Sequence, residues 1–128
     1  MEFFSELTSI TASPDTLKTQ LKIARLPELC ASIMSVMDDR GNSGSIYCLW
    51  GEFQISREEL KYGVRFSLPG CPNALSWSIT SDPDSQWITL HLTINKQQHE
   101  PDFIESIKQF MADWSRGLEQ LHSSKPDA

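Results

Sequence analysis

Ile88-Thr89-Leu90-His91-Leu92-Thr93-Ile94-Asn95 decides the fold, because aliphatic residues at even positions alternate with polar ones at odd positions. A period of two marks a half-buried strand, with Ile88, Leu90, Leu92 and Ile94 on one face and Thr89, His91, Thr93 and Asn95 on the other. The same alternation recurs upstream. Leu75, Trp77 and Ile79 oppose Ser76, Ser78 and Thr80, while Leu60, Tyr62, Val64, Phe66 and Leu68 oppose Lys61, Gly63, Arg65 and Ser67. Earlier still, Tyr47, Leu49, Phe53 and Ile55 oppose Glu52 and Gln54. Turn residues at 69–73 and at Asp82-Pro83-Asp84 join these runs. Short connections between alternating strands predict an antiparallel meander, apolar on one side and polar on the other.

Outside the meander the period becomes helical. Ser13-Pro14-Asp15 supplies an N-cap, a proline at the first helical position and a first-turn acid. Leu17, Leu21 and Ala24 then predict a helix over 14–25, and Leu26, Cys30, Ile33 and Met37 predict a second over 27–38, stopped at Gly41. After Glu100-Pro101-Asp102, the residues Ile104, Ile107, Met111, Trp114, Leu118 and Leu121 keep spacings of three and four, which predicts one long amphipathic helix. Gly117 within it would let a neighbouring backbone come close. Residues 1–12 fit a helix face or a fifth strand equally well. The expected fold is therefore α+β, with two short N-terminal helices, a four- or five-stranded meander, and a C-terminal helix across one sheet face. Residues 1–122 read as one domain and 123–128 as a polar tail.

The 128 residues are 39% hydrophobic, enough for one core without disulfides or a structural metal. The net charge of −6 repels phosphate backbones and anionic lipid headgroups, so neither nucleic acid nor a membrane is an expected partner. The N-terminus lacks a basic leader segment, and no apolar run is long enough to span a bilayer, so the expected location is cytoplasmic. Cys30, Cys48 and Cys71 have no zinc-ligand spacing, and Cys30 and Cys48 sit among apolar neighbours.

No catalytic constellation emerges. His91, His99, Glu100 and Asp102 match no metal-ligand template, and Cys71, in a stiff Pro-Gly-Cys-Pro turn, has no sequence neighbour that would activate a thiolate. Asp38-Asp39, Glu58-Glu59 and Asp82 with Asp84 fall in expected turns, where carboxylates hold water. No cofactor is implied. The candidate binding residues are of two kinds. Arg65, Trp87 and His91 share the polar sheet face by parity, where Trp and Arg favour partner contacts. Tyr62, Trp77 and Trp114 belong to an aromatic set with Tyr47, Trp50, Phe53, Phe66 and Phe110, which is a core if packed and a pocket lining if held apart.

In the order of its elements the chain resembles the helix-grip lipid-binding domains of the START/Bet v 1 type, which carry more strands than are counted here. The resemblance implies an apolar cavity between sheet and final helix. From the residues themselves, the leading expectation is a non-enzymatic interaction module of chaperone or adaptor kind, engaging a partner protein or a second copy. The alternative is a small hydrophobic-ligand-binding protein, or an enzyme, using that aromatic-lined space.

Overall fold

The computed structural model describes residues 1–95 and 100–123. Its elements run β1 (Glu2–Thr11), α1 (Pro14–Gln20), a single 3-10 turn at Ile23–Arg25, α2 (Leu26–Leu29), β2 (Ile33–Asp39), β3 (Ser43–Cys48), β4 (Gly51–Leu60), β5 (Gly63–Ser67), β6 (Ser76–Ser81), β7 (Trp87–Thr93) and α3 (Pro101–Ser123). The strands form one seven-stranded antiparallel sheet in the order β1-β7-β6-β5-β4-β3-β2. Strands β2 to β7 are a meander, and β1 crosses over to pair with β7, which makes β1 and β2 the two edges.

The expected α+β class and the C-terminal helix are present, but the strand count and the early helices need correction. Residues 33–39, read as the end of a second helix, form β2. Leu26, Cys30 and Ile33 are all buried at helical spacing, so the stripe was real while the helix stopped at Leu29. Two register shifts in β2 then put Ser35 opposite Tyr47 and Asp38 opposite Ser45, which destroys any period of two. Gly41 sits in the β2–β3 hairpin with φ of +92°, a left-handed conformation that glycine accepts without a Cβ clash.

The single strand read through Tyr47 and Ile55 is two strands joined at Leu49-Trp50, with Cys48 opposite Gly51. Inserting that turn reverses the expected parity. Ile46 and Cys48 face the core and Tyr47 faces out, half exposed. The run through Leu60 and Leu68 is likewise broken by a turn at Lys61-Tyr62. Residues 1–12, left open between helix and strand, contain β1.

Along β5, β6 and β7 the expected parity holds. Val64, Phe66 and Leu68, then Leu75, Trp77 and Ile79, then Ile88, Leu90, Leu92 and Ile94 are all buried. Ile107, Phe110, Met111, Trp114 and Leu118 of α3 meet them in the same core. At the observed exposure these side chains bring most of the apolar surface out of water, at about 25 cal/mol per Å².

Three polar features set how the helices sit. Ser13 caps α1 by accepting from the Thr16 backbone N–H at 3.1 Å. Arg57, 2% exposed in its side chain, donates to the Leu21 carbonyl at 2.6 Å and the Lys18 carbonyl at 2.8 Å, tying the end of α1 to β4. Its other contacts are Asn42 Oδ1 at 3.1 Å and Glu59 Oε2 at 3.2 Å. On α3, buried Asp113 accepts from Ser32 Oγ at 2.6 Å, which fastens the helix to the segment between α2 and β2.

Candidate functional site

The inner face of β5 and β6 does not touch the α3 backbone closely; that backbone comes nearest to β1 and α2. Aromatic rings occupy the space between. Phe66 lies 5.5 Å from Trp77 between centroids, Trp77 lies 4.9 Å from Phe110, and Trp114 lies 6.0 Å from Phe66 and 6.2 Å from Trp77. Trp50, from the β3–β4 turn, joins at 4.9 Å from Phe110 and donates its indole N–H to Ser106 Oγ at 2.8 Å. The indole N–H groups of Trp77 and Trp114 are buried and meet no acceptor among the described residues. A buried donor left unpaired costs about 1–3 kcal/mol. Two of them in adjacent rings are the most unusual feature of this layer.

A groove of about 490 Å³ opens beside this layer, between β1 and α3. Phe3, Phe4, Met111 and Ala112 form its apolar part, and Glu2, Ser5, Lys108 and Ser115 its polar part. Met111 belongs to the same buried core as the rings, and Phe3 packs against that core. Its size falls in the range of small-molecule sites.

On the opposite side, the polar sheet face is open. Register places Glu58, Arg65, Ser78, His91 and Phe4 in one row across five strands. Phe4 stacks on His91 with centroids 4.2 Å apart and planes 1° from parallel, and His91 Nε2 lies 2.7 Å from Glu2 Oε1. Arg65 donates to Ser76 Oγ at 3.1 Å, and Ser76 in turn bonds Thr93 Oγ1 at 3.1 Å.

Of the candidate residues read from sequence, Arg65 and His91 do share a cleft, and Trp77 and Trp114 do meet inside. The other two are elsewhere. Tyr62 is 37% exposed in the β4–β5 turn, with Lys61 Nζ 5.4 Å from its ring centroid, because the turn removed it from the inner face. Trp87 is 40% exposed on the outer side, yet it pairs with Thr11 four residues from His91, about 13 Å along the strand. Sequence parity missed Glu2 and Phe4, although the alternation of Glu2, Phe4 and Glu6 with Phe3, Ser5 and Leu7 is visible once β1 is known to be a strand.

Ionisable groups elsewhere carry little chemistry. Burial pushes the Cys30 thiol up to about 12 and raises Cys48 as well. Burial also pushes His122 down, in the last turn of α3, where its Nε2 has no partner among the described residues. Burial acts to raise Asp113, but hydrogen bonds from Ser32, Arg116 and Gln109 outweigh it and hold the carboxyl below its usual range. No group of three or more His, Cys, Asp or Glu stands in metal-binding array among the described residues; His99, from the sequence set, lies outside them. No described helix is long and apolar enough to cross a membrane.

In sequence the chain matches no family model and no curated protein. In structure it has counterparts. The protein XoxI from Bacillus cereus superposes with a TM-score of 0.63 at 14% identity, over 97% of this chain and 95% of that one. A START superfamily protein from Mycobacterium smegmatis gives 0.60 at 11% identity, over 96% of both chains. An uncharacterised protein from Bacillus thuringiensis gives 0.55 at 14% identity, again over 96% of both. The chain shares their fold. At such identities the likeness concerns backbone architecture alone, and it agrees with the helix-grip order of elements read from sequence.

Proposed function

We propose that this protein binds a small apolar molecule carrying one or two hydrogen-bond acceptors, held between the sheet and α3. The observation that carries the reading is the pair of unpartnered indole N–H groups on Trp77 and Trp114 within a layer otherwise built of rings. A ligand carbonyl or ether oxygen there would satisfy donors that the protein leaves bare, while its hydrocarbon body replaces ring-to-ring contacts. The β1–α3 groove is the entrance in this reading, since its residues Met111 and Phe3 also pack in the core that holds the rings. The likeness to a START superfamily protein supports this choice over an interaction module. Uptake requires the rings or α3 to shift, because the layer is filled in the free chain.

Native mass spectrometry of freshly purified protein reads ligand and oligomer together. The expected result is a monomer carrying a small adduct, with saturable quenching of tryptophan emission when the neutral probe N-phenyl-1-naphthylamine is titrated in. Trp77→Phe keeps a ring and removes one N–H, and should weaken an acceptor-bearing ligand more than a pure hydrocarbon. A chain with no adduct and no saturable quenching overturns the proposal. The rival reading, self-association, draws on the exposed Met34, Met37 and Tyr47 along β2 and β3, and predicts a dimer in the same spectrum.

A further inference from the structure

We infer that the outer sheet face carries a second site, a cleft for a small oxyanion group, separate from the apolar layer and independent of it. Arg65 on β5 and His91 on β7 flank Ser78 on β6, as their register shows. Two strand spacings put their backbones about 10 Å apart, and the small serine between two long side chains leaves a hollow. That hollow measures about 140 Å³ and is lined by Arg65, Ser76, Ser78, His91, Thr93 and the Trp77 backbone strand position. At roughly 30 Å³ per water, it has the room of four or five waters, the scale of one phosphate or carboxylate group.

The lining is rich in donors and holds no carboxylate. Arg65 has five N–H donors, of which one is given to Ser76 and one, at a long 3.5 Å, to Glu58. The Arg65 side chain is 46% exposed, which leaves room for a ligand at its remaining donors. Ser78 Oγ makes no hydrogen bond to another described residue, and of the bonded Ser76–Thr93 hydroxyl pair one donates to the other, which leaves the second proton free to turn outward. Both nearby acids stand outside the lining: Glu2 holds His91 through Nε2, and Glu58 meets the guanidinium from the neighbouring strand. Phe4, stacked flat on the imidazole, fixes that wall of the cleft. The chain's net charge of −6 opposes anions at a distance, but at physiological salt its field decays over about 8 Å, so the adjacent donors decide.

The test is a titration of inorganic phosphate into 15N-labelled protein at constant ionic strength, with acetate as a parallel arm and chloride as the control. Saturable amide shifts confined to residues 65, 76–78 and 91–93 support the site, and the arm that saturates at lower concentration tells phosphoryl from carboxylate. Arg65→Gln should weaken that binding about tenfold, the loss of a charged hydrogen-bond donor. Glu58→Gln should tighten it, by releasing the guanidinium. Shifts that follow chloride equally, fail to saturate, or persist unchanged in Arg65→Gln overturn the inference. Trp114→Phe, which removes the other bare indole N–H of the apolar layer and lines no part of this cleft, should leave this titration unaltered.

Discussion

Gly117 of α3 sits directly over the Leu29 carbonyl at the end of α2: a Cβ added there would lie 1.8 Å from the carbonyl oxygen. That close approach lets a four-residue helix pack on α3 at all. Gly117→Ala gains about 1 kcal/mol of helix propensity in isolation, yet forcing the two backbones apart typically costs about 1–3 kcal/mol. We expect a net loss of stability in urea unfolding. The exposed Ala112→Gly, earlier on the same helix, should lose only the propensity difference of about 1 kcal/mol, and a stabilising Gly117→Ala would refute the packing argument.

Arg57 is the second anchor, because its guanidinium donates to the Lys18 and Leu21 carbonyls where α1 ends. Arg57→Met keeps the buried length but strips those carbonyls of partners, and should cost about 2–4 kcal/mol. Glu59, whose carboxylate is half exposed, contributes far less, so Glu59→Gln should stay within about 0.5 kcal/mol of the parent. Chemical denaturation of the two variants side by side separates a capping role from a simple ion pair.

How much of this was readable beforehand follows from where each element gets its neighbours. Strands β5 to β7 lie in the middle of the sheet with a core on one side and water on the other, so Val64, Trp77 and Leu90 keep strict parity. Edge strand β2 buries only Ile33 fully and shifts register twice, so sequence alternation never develops and the Leu26–Cys30–Ile33 spacing imitates a helix. Turns at Leu49-Trp50 and Lys61-Tyr62 carry aromatic residues instead of the usual Gly, Asn or Asp, which concealed them. Parity did place Arg65 and His91 on one face. What it could not supply was β1: Glu2 and His91 are 89 residues apart, and only the crossover of β1 onto β7 brings them together.

Asp113 provides a pH signature. Its carboxyl is held below the usual range in the folded chain, whereas in the unfolded chain it titrates near about 3.9. The unfolded state therefore takes up the proton first, and the stability contributed by Asp113 is complete above that value and lost as pH falls through the lowered native one. Asp113→Asn should be destabilising at pH 7, and its gap from the parent should narrow under acid. Unfolding midpoints measured from neutral to acidic pH check this, and a constant gap would mean that the charge is irrelevant.

The thiols give the opposite sign. An unfolded cysteine ionises near about 8.5, while folded Cys30 stays protonated to about 12 because burial penalises the thiolate. Raising the pH between those values draws protons from the unfolded state only, so each such thiol lowers stability by up to about 1.4 kcal/mol per pH unit. Cys30→Ala leaves a small cavity and should be less stable at pH 7, but its stability should fall less steeply above pH 9. The slope, rather than the level, is the measurement that matters. The same burial predicts reactivity: with a thiol reagent at pH 8, partly exposed Cys71 should react in the folded protein, and Cys30 and Cys48 only after denaturation. Fast labelling of all three thiols without denaturant would contradict the closed core from which both expectations come.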